Sequence, residues 1–237
     1  MKRHIPNLIT LCNLICGCIA TLRGFEAEYE AALLWICAGA LFDFFDGFAA
    51  RLLGVSSPIG KELDSLADDI TFGLAPSAIC FSLIADAVKP SLHPIFLTIL
   101  PYLAFIMAAM SAMRLAKFNL DERQTTGFLG LPTPANALFW AALSVGAKEW
   151  LAQSTLAVWT VLLGVVVMSS LLVSEIPMFA LKFKNFGLHD NALRYGFILA
   201  AALLLLFTGF TGLALVIPLY VVVSVVSNSL TKKSNAE

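Results

Sequence analysis

The chain has 237 residues, 59% of them hydrophobic and 13% charged, with a formal net charge of −1 and a mean hydropathy of +0.86. Soluble domains carry roughly 25% charged residues, so a water-soluble globular fold is excluded, and nothing in the charge balance calls for a nucleic-acid partner. Charged clusters are short and alternate with long apolar stretches, which is the pattern of a chain that lives in a bilayer.

At about 20 apolar residues per crossing, the sequence predicts an all-α polytopic bundle of eight transmembrane helices: 5–22, 29–53, 60–87, 94–117, 133–147, 153–180, 192–208 and 211–229. Pro6, Asn7, Thr10 and Asn13 interrupt the first apolar run, which therefore does not read as a cleavable signal. Cys12, Cys16, Cys18, Cys37 and Cys80 all fall in apolar stretches, where thiols act as small hydrophobes and no disulfide framework is expected. The run from Phe197 to Val226 is too long for one crossing, and Thr208, Gly209, Thr211 and Gly212 offer the break that makes it a hairpin.

Eight crossings put both termini on one side. With that side cytoplasmic, Lys2, Arg3, Arg51, Lys61, Arg114, Lys117, Arg123, Lys182, Lys184, Arg194, Lys232 and Lys233 all lie inside, which is 12 of the 15 basic residues. Only Arg23, Lys89 and Lys148 fall outside, as the excess of Lys and Arg in cytoplasmic loops requires. A single membrane domain is expected over 1–237, with the chemistry in helices 5–137 and scaffold or dimer surface in 138–230.

The chemistry is concentrated between Asp43 and Asp68. Asp43, Asp46, Gly47 and Ala50 recur at three- and four-residue steps and share one helix face, and Gly60, Asp64 and Asp68 repeat every four residues along the next helix. A lone carboxylate costs about 2.5–3.5 kcal/mol at a membrane helix centre, so four of them demand partners. A cage for hard divalent cations supplies those partners, and paired dications neutralise the attacking and leaving oxygens of phosphoryl transfer. Caps at helix ends, ion pairs with Arg51 and Lys61 at the interface, or the ion or proton pathway of a transporter would also place acids here.

The spacing Asp43-x2-Asp46-Gly47-x2-Ala50-Arg51-x8-Gly60-x3-Asp64-x3-Asp68 resembles the signature of the CDP-alcohol phosphotransferase family, with eight matching positions over 26 residues. That resemblance implies that Asp43, Asp46, Asp64 and Asp68 hold two metal ions, Mg²⁺ or Mn²⁺, and that Asp68 is also the base on the acceptor hydroxyl. It implies a CDP site formed by Gly47, Ala50, Arg51 and Gly60, joined by Asn7 and Thr10 of the opening stretch Pro6 to Asn13. It also implies a homodimer.

Three further stretches resemble the serine-using branch of that family: Asp68 to Pro76, Arg114 to Asn119, and Gly130 to Ala135. The implied reaction joins CDP-diacylglycerol to L-serine among the membrane lipids. Arg114, Lys117 and Asn119 are then expected to receive the acceptor, with the two cations on its carboxylate. The branch usually shows Arg where Lys117 stands, which keeps the charge and loses the forked geometry. Pro76 is expected to kink the third helix, either opening the bundle for lipid entry or as a matter of packing alone. Glycerol phosphate, inositol phosphate, ethanolamine or choline as acceptor, and an archaeal ether-lipid donor, are the neighbouring alternatives.

Overall fold

The computed structural model describes residues 4–88, 95–121, 128–153, 156–179, 187 and 191–234. Lys2, Arg3, Lys89, Arg123, Lys182 and Lys184 of the charge count lie outside the described residues, as do the side chains of Lys232 and Lys233.

The chain is an all-helical membrane protein. Among the described residues, five helices are long and apolar enough to cross a bilayer: His4–Phe25, Tyr29–Leu53, Pro58–Ala87, Leu97–Leu120 and Thr211–Ser229. Two shorter apolar helices, Ala157–Val173 and Ala192–Thr208, accompany them. Large apolar side chains such as Leu8, Leu34, Leu163, Leu206 and Phe207 cover the exterior. An exterior this apolar needs lipid to cover it, because water would leave a patch far beyond that of any soluble monomer.

Helices α1 (His4–Phe25) and α2 (Tyr29–Leu53) form a tight hairpin. Its turn holds Ala27 at φ +56° and is tied by Arg23, which donates to Glu26 and Glu28 at 2.8 and 2.9 Å. Gly54 ends α2 in the left-handed conformation that a residue with a Cβ resists. Ser57 then caps α3 (Pro58–Asp68), its hydroxyl accepting from the Gly60 N–H at 3.0 Å, with Pro58 in the first turn where its missing N–H costs nothing.

The third predicted helix is continuous but not uniform. After α3 comes a π-helical segment, Asp69–Leu74, before α4 (Ala75–Ala87). Pro76 has no N–H to give, and the ladder shifts by one residue just before it, the Ala75 N–H reaching Ile70. The proline expected to kink this helix is thus absorbed by a widened turn. Thr71 of that turn wedges between α1 and α2: a Cβ on Gly17 would sit 2.3 Å from its hydroxyl, and one on Gly39 2.5 Å from its methyl.

Two other elements depart from expectation. The predicted helix 94–117 begins as a 3-10 stretch, Ile95–Phe105, around Pro101, and becomes α5 only over Ile106–Leu120. The predicted helix 153–180 is α8, Ala157–Val173, followed by a two-residue strand β2 (Pro177–Met178) that pairs antiparallel with β1 (Phe128–Leu129). Pro177 cannot continue a helix and restrains the residue before it. Helix α6 (Thr133–Gly146) is followed by the short α7 (Lys148–Gln153), and α9 (Ala192–Thr208) and α10 (Thr211–Ser234) form the expected hairpin through Gly209 at φ +59°.

The core runs through the middle of the bundle, with Leu33, Ile36, Phe72, Ile79, Met107 and Trp140 fully enclosed. The π segment packs on α1, α5 and α6 at once. All five cysteines are free, as composition predicts.

Candidate active site

The acidic residues meet where α2 and α3 end side by side against α1. Carboxylate oxygens of Asp43, Asp64 and Asp68 all lie within 4.8 Å of one another. Asp46 stands beside that group, 6% exposed, and accepts from the Thr10 hydroxyl at 2.5 Å. Asp68 accepts from the Asn13 amide at 3.1 Å. Among the described residues none of the four forms an ion pair, so Arg51 and Lys61 do not neutralise them as the ion-pair alternative requires.

Three half-buried carboxylates at this separation repel one another strongly in a low-dielectric setting. The oxygen-only donor set and its close spacing fit a hard divalent cation. Asn13 was not anticipated as a partner of Asp68, although it lies three residues beyond Thr10 and six beyond Asn7, on the same face of α1.

Beside the carboxylates a cleft of about 540 Å³ opens, lined among others by Asn7, Thr10, Gly47, Ala50, Arg51 and Gly60. Every residue expected around the nucleotide therefore faces one space, of a size typical for a small-molecule site. The glycines differ in what they do there. A Cβ on Gly47 would meet nothing within 4 Å, whereas one on Gly60 would lie 3.0 Å from the Ser57 hydroxyl and 3.1 Å from Asn7. Gly47 keeps the cleft open; Gly60 lets α3 approach α1.

The residues expected at the acceptor separate. Arg114 is 8% exposed, donates weakly to the Thr133 hydroxyl at 3.4 Å, stacks 5.8 Å over the Phe118 ring, and lies within electrostatic reach of Asp68 and Tyr220. Lys117 is exposed one turn further along α5. Asn119 turns to α3: its side-chain amide donates to Ser65 at 2.8 Å and its backbone carbonyl accepts from Lys61 at 2.7 Å, so it clasps α5 to the acidic helix. Neither Thr133, which lies in the stretch Gly130 to Ala135, nor Tyr220 was tied to Arg114 from sequence, because 19 and 106 residues separate them from it, beyond any local spacing.

A family model described as CDP-alcohol phosphatidyltransferase matches residues 3–169. The chain belongs to that family. It is 39% identical over 141 residues to a protein of Bacillus subtilis (strain 168), covering 60% of this chain and 75% of that one. It is 33% identical over 187 residues to one of Mycobacterium leprae (strain TN), covering 73% and 57%. A protein of Methanocaldococcus jannaschii is 30% identical over 174 residues, covering 73% and 75%. All three relatives carry the name CDP-diacylglycerol--serine O-phosphatidyltransferase. The family generally uses divalent metals, and the three clustered carboxylates could hold such an ion.

Proposed function

We propose that this membrane enzyme transfers the phosphatidyl group of CDP-diacylglycerol to the hydroxyl of L-serine, giving phosphatidylserine and CMP. The observation that carries the reading is the convergence of Asp43, Asp64 and Asp68 beside a cleft lined by all six residues of the nucleotide motif. Relatives named for this same transfer support the choice of acceptor.

In this reading Asp43, Asp46, Asp64 and Asp68 hold two divalent ions, Mg²⁺ or Mn²⁺. When bound, such ions neutralise the diphosphate and stabilise the oxygen that leaves with CMP. The residues of the chain do the rest. The Thr10 hydroxyl and Asn13 amide fix the rotamers of Asp46 and Asp68, so the carboxylates are set before substrate arrives. Arg51 lies along the cleft that receives the nucleotide, where its fork suits phosphate. Asp68 takes the serine hydroxyl proton; the freed oxygen attacks the phosphorus that bears the diacylglycerol, and the bond from that phosphorus to CMP breaks. Arg114 and Lys117 draw the serine carboxylate, and Asn119 holds α5 against the acidic helix while they do so.

None of the eight matching motif positions is a Ser, Cys or His, which favours one in-line displacement. A donor chiral at phosphorus is expected to give inverted product, and retention would require a phosphatidyl-enzyme instead. The chain is a homodimer of one membrane domain, with residues 5–137 catalytic and 138–230 scaffold or dimer surface. It crosses the cytoplasmic membrane eight times, with both termini and the carboxylates toward the cytoplasm.

Purified protein in detergent, given CDP-diacylglycerol, Mn²⁺ and labelled serine, is expected to release CMP and label phosphatidylserine. Release with glycerol phosphate, inositol phosphate, ethanolamine or choline alone would move the acceptor assignment, and a strict preference for an ether-lipid donor would move the donor. No CMP release with any acceptor would sink the transferase reading and leave an ion pathway.

A further inference from the structure

Lys61 closes the first turn of α3, and the charge count places it among the basic residues of the inner face. A lysine in such a place ordinarily leaves its ammonium in water. Here the ammonium donates to the backbone carbonyl of Asn119 at 2.7 Å, 58 residues along the chain. That carbonyl lies in the last turn of α5 (Ile106–Leu120), whose final C=O groups have no helical N–H to accept from. The negative end of the helix dipole favours a cation at the same spot.

Two more hydrogen bonds make the link a closed ring. The Asn119 side-chain amide donates to the Ser65 hydroxyl at 2.8 Å, and that hydroxyl donates to the Lys61 carbonyl at 3.3 Å. Ser65 lies on α3 between Asp64 and Asp68, so the ring ties the helix of the carboxylates to the end of the helix that carries Arg114 and Lys117. Lys61 has a second address. It lines the cleft of about 540 Å³ together with Arg51, Gly60 and Asp64. Among the described residues it forms no ion pair, and an ammonium has three N–H donors, of which Asn119 takes one.

We infer that Lys61 is a positioning residue that couples the two substrates: its ammonium keeps the Asn119 carbonyl while taking a phosphate oxygen of the donor, so that the donor fixes the end of α5. An anion in the cleft holds the ammonium from one side, and α5 holds it from the other. A long, flexible side chain and the last turn of α5 are then ordered before the acceptor meets that helix, which lowers the entropic cost of the second binding event. By linkage the effect runs both ways, serine tightening the nucleotide as much as the nucleotide tightens serine. The inference rests on the transfer reading above and adds cooperation between its two substrates.

The test is equilibrium binding of CDP, which carries the donor's diphosphate without its lipid, to the full chain in detergent with Mn²⁺, with and without saturating L-serine. In the wild type serine is expected to lower the CDP Kd about fivefold, which is what one net hydrogen bond supplies and the low end of the usual coupling between linked sites. Lys61→Met is expected to weaken CDP binding and to bring that ratio to about one, and Lys61→Arg to recover part of it. Ser65→Ala breaks the ring outside the cleft, so the CDP Kd without serine stays at the wild-type value while the ratio falls below about twofold. A lysine that only bound phosphate would lose CDP affinity equally with and without serine and leave Ser65→Ala indistinguishable from wild type; that outcome overturns the inference. A wild-type CDP Kd that ignores serine also overturns it, while CMP release with serine would keep the transferase reading standing. A wild type that binds no CDP overturns the nucleotide cleft and this inference together.

Discussion

Gly47 and Gly60 look alike in the sequence and serve opposite ends in space. A methyl on Gly47 would enter the open cleft without touching protein, and alanine is the better helix former by roughly 0.5–1 kcal/mol. Gly47→Ala is therefore expected to hold or raise the Tm while weakening CDP-diacylglycerol binding at least tenfold; an unaltered donor KM would place the nucleotide elsewhere. Asp68 carries two roles on one side chain, metal ligand and base. Asp68→Asn is expected to cut turnover by roughly 10²–10⁴-fold, the usual contribution of a positioned base. It should also raise the metal-free Tm, because one of three mutually repelling carboxylates is gone. Turnover near wild type in that variant would refute the assignment of the base.

At the scale of elements, the π segment is the joint on which the site turns. Thr71 donates to the Asn13 carbonyl at 3.1 Å and fills the gap between Gly17 and Gly39, while Asn13 itself reaches forward to Asp68. One contact thus sets the depth of the acidic helix against α1. Gly17→Ala would force a Cβ to within 2.8 Å of the Thr71 Cα as well as its hydroxyl, and neither backbone can yield without moving the other. Overpacking of this kind costs about 1–3 kcal/mol, so the expected result in thermal denaturation is a Tm several degrees lower with reduced turnover. Ser57→Ala tests the other end of α3: loss of the cap on Gly60 should cost about 1 kcal/mol and loosen the wall of the cleft beside Asn7.

For the whole molecule, the decisive property is how charge is neutralised inside a lipid-covered bundle. The clustered carboxylates form no ion pair among the described residues, so chelation is expected to abolish CMP release. Readdition of Mn²⁺ should raise the Tm by mass action, by the equivalent of about 2.7 kcal/mol when the ion stands at a hundred times its Kd. A melting curve indifferent to Mn²⁺ and Mg²⁺ would remove the metal cage from the account. Topology is open to a second measurement: reporters fused to the two termini are expected to respond from the same side of the membrane, and opposite sides would mean an odd number of crossings.

By itself the sequence determined what is local or additive. Hydropathy summed over 20-residue windows marked a membrane protein and its five long apolar helices, and three- and four-residue steps put Asp43 with Asp46, and Asp64 with Asp68, on shared faces, because helical geometry makes those neighbours whatever the rest of the chain does. Pro76 marked a special point in the third helix but not that the chain would answer with a π turn, while Pro101 and Pro177 lay inside helices predicted as continuous, where the chain forms a 3-10 stretch and a strand instead. Only the tertiary structure decided that Asp43, Asp64 and Asp68 converge while Asp46 turns to Thr10, that Arg114 is buried and Asn119 spent on Ser65, and that Lys61 reaches the end of α5. Those relations join residues tens of positions apart and depend on how closely helices cross, which is set by small side chains packed against a distant partner and leaves no periodic trace in either segment.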